Sequence, residues 1–183
     1  MCEEWGYKEL AKKNESYEIC FIPDNDYRGF LKRRVPDLEE KVSGGLYVDS
    51  HGNLIGQHEG YPFYTIGQRK GLGVAFGEPV FVTEINAHTN RVTLGTEEEL
   101  RKSSMKVCKV NLQKYASLPD GLQALVKVRY KDAGTRAKVY DEESEMLNVK
   151  FELPVKAISP GQSAVMYEGN DVVGGGIIHS VLK

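Results

Sequence analysis

Downstream of Pro36 the chain reads as β throughout, in short runs of alternating apolar and polar residues separated by turn residues. Sheets patterned this way must bury their apolar faces against another layer or close on themselves. The last eighty residues carry the pattern most clearly. Strands are predicted at Met105–Val110, Leu122–Lys131, Thr135–Tyr140, Met146–Phe151, Gln162–Tyr167 and Val172–Val181. Asp141–Glu145 and Glu168–Asp171 are the clearest turns between them. Six short antiparallel strands in ~80 residues predict a small closed barrel, which leaves no exposed sheet edge.

The stretch before the barrel is also read as strands. Gly45–Val48 and Asn53–Ile55 flank a Gly-containing turn and predict a hairpin. Tyr61–Ile66 follows, then Pro79–Asn86 with Val80, Val82 and Glu84 on one face, a turn at Ala87–Asn90, and Arg91–Leu94. Glu97-Glu98-Glu99 is a charged break and marks the expected domain boundary. Helical spacing occurs only earlier, at Gly6–Lys13 and at about Asp26–Arg34. Asp24 or Asp26 can cap the second helix, Tyr27, Phe30 and Leu31 form its apolar stripe, and Pro36 lies just past its end.

Composition narrows the function classes. At 183 residues, 40% hydrophobic and 27% charged, the chain is of ordinary globular make-up. No run approaches the ~18 apolar residues that span a bilayer, and the N-terminus lacks the regions of a signal peptide, so a cytoplasmic protein away from membranes is expected. A formal net charge of −2 argues against a general nucleic-acid coat while leaving room for a local basic face. Cys2, Cys20 and Cys108 are an odd number at irregular spacings, which is no disulfide framework and fits a reducing compartment. Without a CxxC or a tight Cys/His cluster, no metal site is expected.

Three constellations could carry chemistry. Cys20, inside Ile19-Cys20-Phe21-Ile22, reads from chemistry alone as a small hydrophobe in a core, since nothing local would lower its thiol pKa. Gly67-Gln68-Arg69-Lys70-Gly71-Leu72-Gly73 is no Walker A loop, because no Lys-Ser/Thr pair follows its second glycine. It is either a close-approach turn with Arg69 and Lys70 facing phosphate or a tight turn with solvated charges. Alternation along Leu122–Lys131 places Ala124, Val126, Val128 and Tyr130 on one face and Lys127, Arg129 and Lys131 on the other. With Arg136 and Lys138 this makes a positive patch, either a solvated outer face or a phosphate-contacting one with Tyr130 free to stack on a base. Gly174-Gly175-Gly176 reads as a bend in the barrel.

Read in order, these segments resemble a known family, the bacterial-type tRNA-specific 2-thiouridylases. The resemblance rests on Glu18-Ile19-Cys20-Phe21-Ile22 with the helix after it, Gly56-Gln57-His58-Glu59-Gly60, and Tyr64-Thr65-Ile66-Gly67-Gln68-Arg69-Lys70-Gly71-Leu72-Gly73. It rests also on Lys127-Val128-Arg129-Tyr130 and on Pro160-Gly161-Gln162-Ser163-Ala164-Val165 with Gly174-Gly175-Gly176-Ile177-Ile178. It covers essentially the whole chain, and the ten-residue block from Tyr64 to Gly73 is its most specific part. Glu15 departs from the family's usual Asp and keeps the charge.

The resemblance implies the C-terminal half of such an enzyme. It implies a remnant of an adenylating domain and the cysteine segment at 1–23, a central β-rich domain with a short helix at 24–96, and a six-stranded antiparallel, translation-factor-like β-barrel at 103–183. It implies that Cys20 carries sulfur as a persulfide, delivered by a cysteine desulfurase or relay protein, and that Arg129, Tyr130 and Gln162 contact tRNA. Gln68, Arg69 and Lys70 match the motif and are expected near RNA, with no DNA partner. ATP and magnesium would be used by the N-terminal domain, whose Ser-Gly-Gly-x-Asp-Ser loop and first catalytic cysteine do not occur here; this half alone is expected to be inactive. Family members have also been labelled methyltransferases, yet no S-adenosylmethionine motif is present. Two other readings compete: a non-catalytic RNA-binding barrel with Cys20 buried and inert, and a thiol-redox protein pairing Cys20 with Cys2 or Cys108.

Overall fold

The computed structural model describes Gly6, Ile22, Asp24, residues 26–142 and residues 146–182. Cys2, Cys20 and, apart from Gly6, the expected helix at 6–13 lie outside the described residues. Compactness divides the chain between Lys41 and Val42.

In the first unit, α1 spans Tyr27–Arg34. Asp26 caps it by accepting from the Gly29 amide at 2.8 Å, and Lys32, Arg33 and Arg34 lie where the helix dipole favours cations. Val35 is extended, as a residue before proline prefers. A four-residue helix, α2 at Leu38–Lys41, follows. This corrects the expectation of β structure directly after Pro36: Asp37 turns with φ of 58°, and its carbonyl accepts from the Lys41 amide at 3.0 Å.

The second unit holds a four-stranded sheet and a closed barrel. The sheet is built from β1 (Gly45–Val48), β2 (Leu54–His58), β3 (Phe81–Asn86) and β4 (Arg91–Gly95), in the order β2-β1-β4-β3. The expected hairpin forms, its turn held by Asp49 Oδ1, which accepts from the His51 and Asn53 amides. β1 also pairs parallel with β4. Asn90, at φ of 50°, ties this corner by donating to the Val42 carbonyl and accepting from the Tyr61 amide.

Two strand expectations need correction here. Tyr61–Phe63 is a 3-10 turn, because Pro62 offers no amide to a ladder. On β3, Val82 is buried while Glu84 is exposed, since the ladder to β4 slips between them; one extra residue turns the following side chains to the other face.

The barrel consists of β5 (Arg101–Leu112), β6 (Leu122–Lys127), β7 (Thr135–Glu142), β8 (Met146–Lys156), β9 (Ser163–Glu168) and β10 (Asp171–Leu182). Neighbours run in the order β10-β5-β8-β7-β6-β9, every pair is antiparallel, and β9 returns to β10 to close the ring. Met105, Val107, Val126, Val139, Val149, Met166, Val173 and Ile178 fill its interior, each burial contributing roughly 1.5–3 kcal/mol before entropy is counted. The glycine triplet lies where β10 bends between two strands at once. A Cβ on Gly174, Gly175 or Gly176 would sit 2.5–2.6 Å from the Asn111, Ala164 or Cys108 carbonyl oxygen respectively.

The charged break at Glu97–Glu99 is a tight turn. Thr96 and Glu99 hydrogen-bond each other reciprocally through side chain and amide. Across it, the Lys156 ammonium lies 3.0 Å from Glu97 and 4.9 Å from the Phe81 ring centroid, and the Ala157 amide donates to the Leu100 carbonyl. Lys156 and Ala157, at the end of β8, thus tie the barrel to this turn and to Phe81 of the sheet.

Candidate RNA-binding site

β6 ends at Lys127, four residues earlier than alternation predicts, and this shortening builds the site. Asp132 is the cause. Its carboxylate accepts from the Val128 and Gly134 amides, each at 3.0 Å, and its own amide donates to the Arg129 carbonyl. Val128 stays buried, whereas Tyr130 swings out to 93% exposure instead of sharing its face. Arg129 is steadied by a 3.1 Å hydrogen bond from Nη2 to the Lys156 carbonyl, which leaves its other donors available.

The Pro160-Gly161-Gln162 turn is held by the backbone on both sides. The Gly161 amide donates to the Ile178 carbonyl, and the Ile178 amide donates to the Gln162 carbonyl, both at 2.8 Å. The Gln162 side chain is exposed. Arg129, Tyr130 and Gln162 line one open cavity of about 640 Å³. Lys127, Ser163 and Tyr167 complete its polar lining, and the Lys127 ammonium lies 5.6 Å from the Tyr167 ring centroid. Tyr167 was not singled out from the sequence, although alternation from Val165 places it on the same outward face.

Gln68, Arg69 and Lys70 lie elsewhere. Gln68 braces its own turn: Oε1 accepts from the Thr65 amide and Nε2 donates to the Lys70 carbonyl. Gly67 has φ of 87°, and a Cβ there would meet the Ala157 Cβ at 3.0 Å, so the turn sits hard against the end of β8. Arg69 and Lys70 project from it, exposed. Cys108, part-buried on β5, is not disulfide-bonded. Among the described residues no group of three or more His, Cys, Asp or Glu could hold a metal, and no helix is long and apolar enough to cross a membrane.

Residues 28–96 match the family model of the tRNA methyl transferase PRC-barrel domain, and residues 99–178 that of the aminomethyltransferase β-barrel domain. The tRNA-specific 2-thiouridylase MnmA of Amoebophilus asiaticus is 57% identical over 97% of this chain and 47% of its own length. Its namesake from Cytophaga hutchinsonii is 57% identical over the whole chain and 50% of its own length. That from Salinibacter ruber is 50% identical over 99% of the chain and 47% of its own length. The chain belongs to the tRNA-specific 2-thiouridylase family. It spans about half the length of these 2-thiouridylase relatives. The boundary between the two matched models, 96 to 99, coincides with the Thr96–Glu99 turn of this 2-thiouridylase-family chain.

Proposed function

We propose that this chain is the tRNA-holding and sulfur-delivering half of a tRNA 2-thiouridylase. The observation that carries the reading is the meeting of Arg129, Tyr130 and Gln162, from two separate turns of the barrel, around one open cavity. A guanidinium with unused donors, an exposed aromatic ring and an amide suit, respectively, a phosphate, a base face and a base edge. The relatives' name supplies the nucleic acid, tRNA, and the reaction, 2-thiolation of a uridine.

In this reading Cys20 receives a terminal sulfur from a cysteine desulfurase or relay protein and holds it as a persulfide. That sulfur attacks C2 of a wobble uridine activated at O2, and the activated oxygen leaves with its activating group. A second cysteine then attacks Cys20 Sγ. The Cys20 Sγ–sulfur bond breaks, its electron pair forms the thiocarbonyl, and the two cysteines are left as a disulfide for a thiol reductant to reset. ATP with magnesium would supply the activation, through the half of the full-length protein that has no counterpart in this chain. The barrel and central domain, taken as 103–183 and 24–96, position the RNA; Arg69 and Lys70 reach towards it, with Gln68 bracing their turn. Such an enzyme works in the cytoplasm.

Thiolation of tRNA by the full-length protein, read by retardation on a mercury-containing gel, tests this. Cys20→Ala is expected to abolish thiolation while tRNA binding persists, and residues 1–183 alone are expected to be inactive with ATP. Unchanged thiolation by Cys20→Ala would leave these domains as a non-catalytic RNA scaffold.

A further inference from the structure

The outer wall of the barrel continues from the Arg129–Tyr130–Gln162 cavity down β6, β7 and β8. Strand register sets Gln123 opposite Lys138, Leu125 opposite Arg136, and Lys138 directly opposite Lys150. The alternate residues Ala124, Val126, Ala137, Val139 and Val149 are buried in the barrel, so Lys127, Arg136, Lys138 and Lys150 share the outward face. At ~3.3 Å per residue the face extends about 13 Å along β6 alone.

This arrangement is not one that folding favours. Like charges directly opposite on neighbouring strands destabilise a sheet. Elsewhere on the barrel the lysines find carboxylates: Lys106 with Glu142 at 2.8 Å, Lys114 with Glu168 and Asp171, and Lys156 with Glu97. Among the described residues no carboxylate lies in ion-pair range of Lys127, Arg136, Lys138 or Lys150. Two of the four instead lie over exposed-side rings, Lys127 over Tyr167 and Lys150 over Tyr140 at 5.3 Å. Four cations without an ion-pair partner share one wall of a chain with net charge −2. The carboxylates at its margins are Glu142, held by Lys106 and felt by Lys150 only at longer range, and Glu152, so the middle of the wall is suited to an anion.

We propose that the β6–β7–β8 wall is a second RNA contact, which grips the phosphodiester backbone of the helical arm next to the nucleotides held in the cavity. Lys127 and Tyr167 line the cavity and also begin the wall, so the two surfaces form one continuous track. The contact is independent of sequence, because ammonium groups read phosphates as point charges and not base edges. The proposal rests on the RNA-binding reading above and extends it from three residues to a whole face.

The test measures tRNA dissociation constants of the full-length protein between 50 and 200 mM salt, for the wild type, the double variant Lys138→Gln/Lys150→Gln, and Arg129→Ala. For the double variant the slope of log affinity against log salt is expected to become shallower by about two, one for each lost phosphate contact. The loss should be equal for tRNAs that are and are not thiolated. The unfolding midpoint of the double variant should hold or rise, because a like-charge pair is removed, and Lys138→Arg/Lys150→Arg should keep the wild-type slope. Arg129→Ala weakening binding while the double variant keeps the full slope would overturn the wall and leave the cavity reading standing. If neither variant affects tRNA binding, the RNA-binding reading itself falls.

Discussion

In the proposed RNA-binding reading, Tyr130 is the side chain whose position is easiest to test. A tyrosine at 93% exposure gives the fold almost nothing, so its removal should be silent in stability and visible only in binding. Tyr130→Ala is expected to weaken tRNA binding roughly 5- to 150-fold, the equivalent of one lost base stack at ~1–3 kcal/mol, with an unchanged melting temperature. Filter binding alongside thermal unfolding checks both halves. His58 is the opposite case. It is buried between Tyr47 and Tyr64, with ring centroids 4.9 and 5.1 Å away, and its Nδ1 accepts from the Gly60 amide. Burial holds its pKa below the ordinary value, partly offset by the Leu46 carbonyl. The unfolded chain thus takes up a proton more readily than the folded one. His58 therefore stabilises the fold above pH ~6.5, and that contribution is lost as the pH falls below this value. Urea midpoints at pH 7.5 and 5.5 should fall on acidification, and fall less in His58→Phe. Arg129, Tyr130 and Gln162 could be named from their motifs, but that they line one cavity could not be read there, because Gln162 lies 33 positions after Arg129 in the chain.

At the scale of elements, the informative failures are places where a single residue interrupts a period. Alternation carried β6 through Val128 to Lys131, and nothing in an apolar/polar pattern reveals that Asp132 will take the Val128 and Gly134 amides for itself. The β3 slip after Val82 is equally invisible to a period of two. The six barrel strands, by contrast, were legible in order and number, because buried and exposed positions alternate along most of their length, even though the ladders of β10 slip around the glycine triplet and β8 exposes Glu152, Leu153 and Pro154 in succession. Asp132→Ala should cost about 1–2 kcal/mol of stability, two backbone donors losing an acceptor in a part-buried turn. It should also weaken tRNA binding, although Asp132 does not line the cavity, because the turn it organises carries Arg129 and Tyr130. Differential scanning calorimetry and tRNA titration of the variant would separate the two effects.

At the scale of the molecule, the sequence pointed to a boundary at Glu97–Glu99, where the two matched family models meet, and the chain from Val42 onward also forms one compact unit across it. Charge composition signals a solvated turn; it carries no information about Lys156 reaching across that turn to Glu97 and Phe81. The barrel's closure has a different consequence. Its first strand, β5, is sealed by its last: Ser104 to Leu112 pair with Gly174 to Leu182. During synthesis the five earlier strands must wait, with a live edge on β5, until β10 has cleared the ribosome. Such long-range pairing makes folding slow and leaves the nascent chain open to mispairing. A ribosome that stalls a dozen codons short of Leu182 would release an open sheet whose exposed edge invites aggregation, where completing those codons yields a sealed ring.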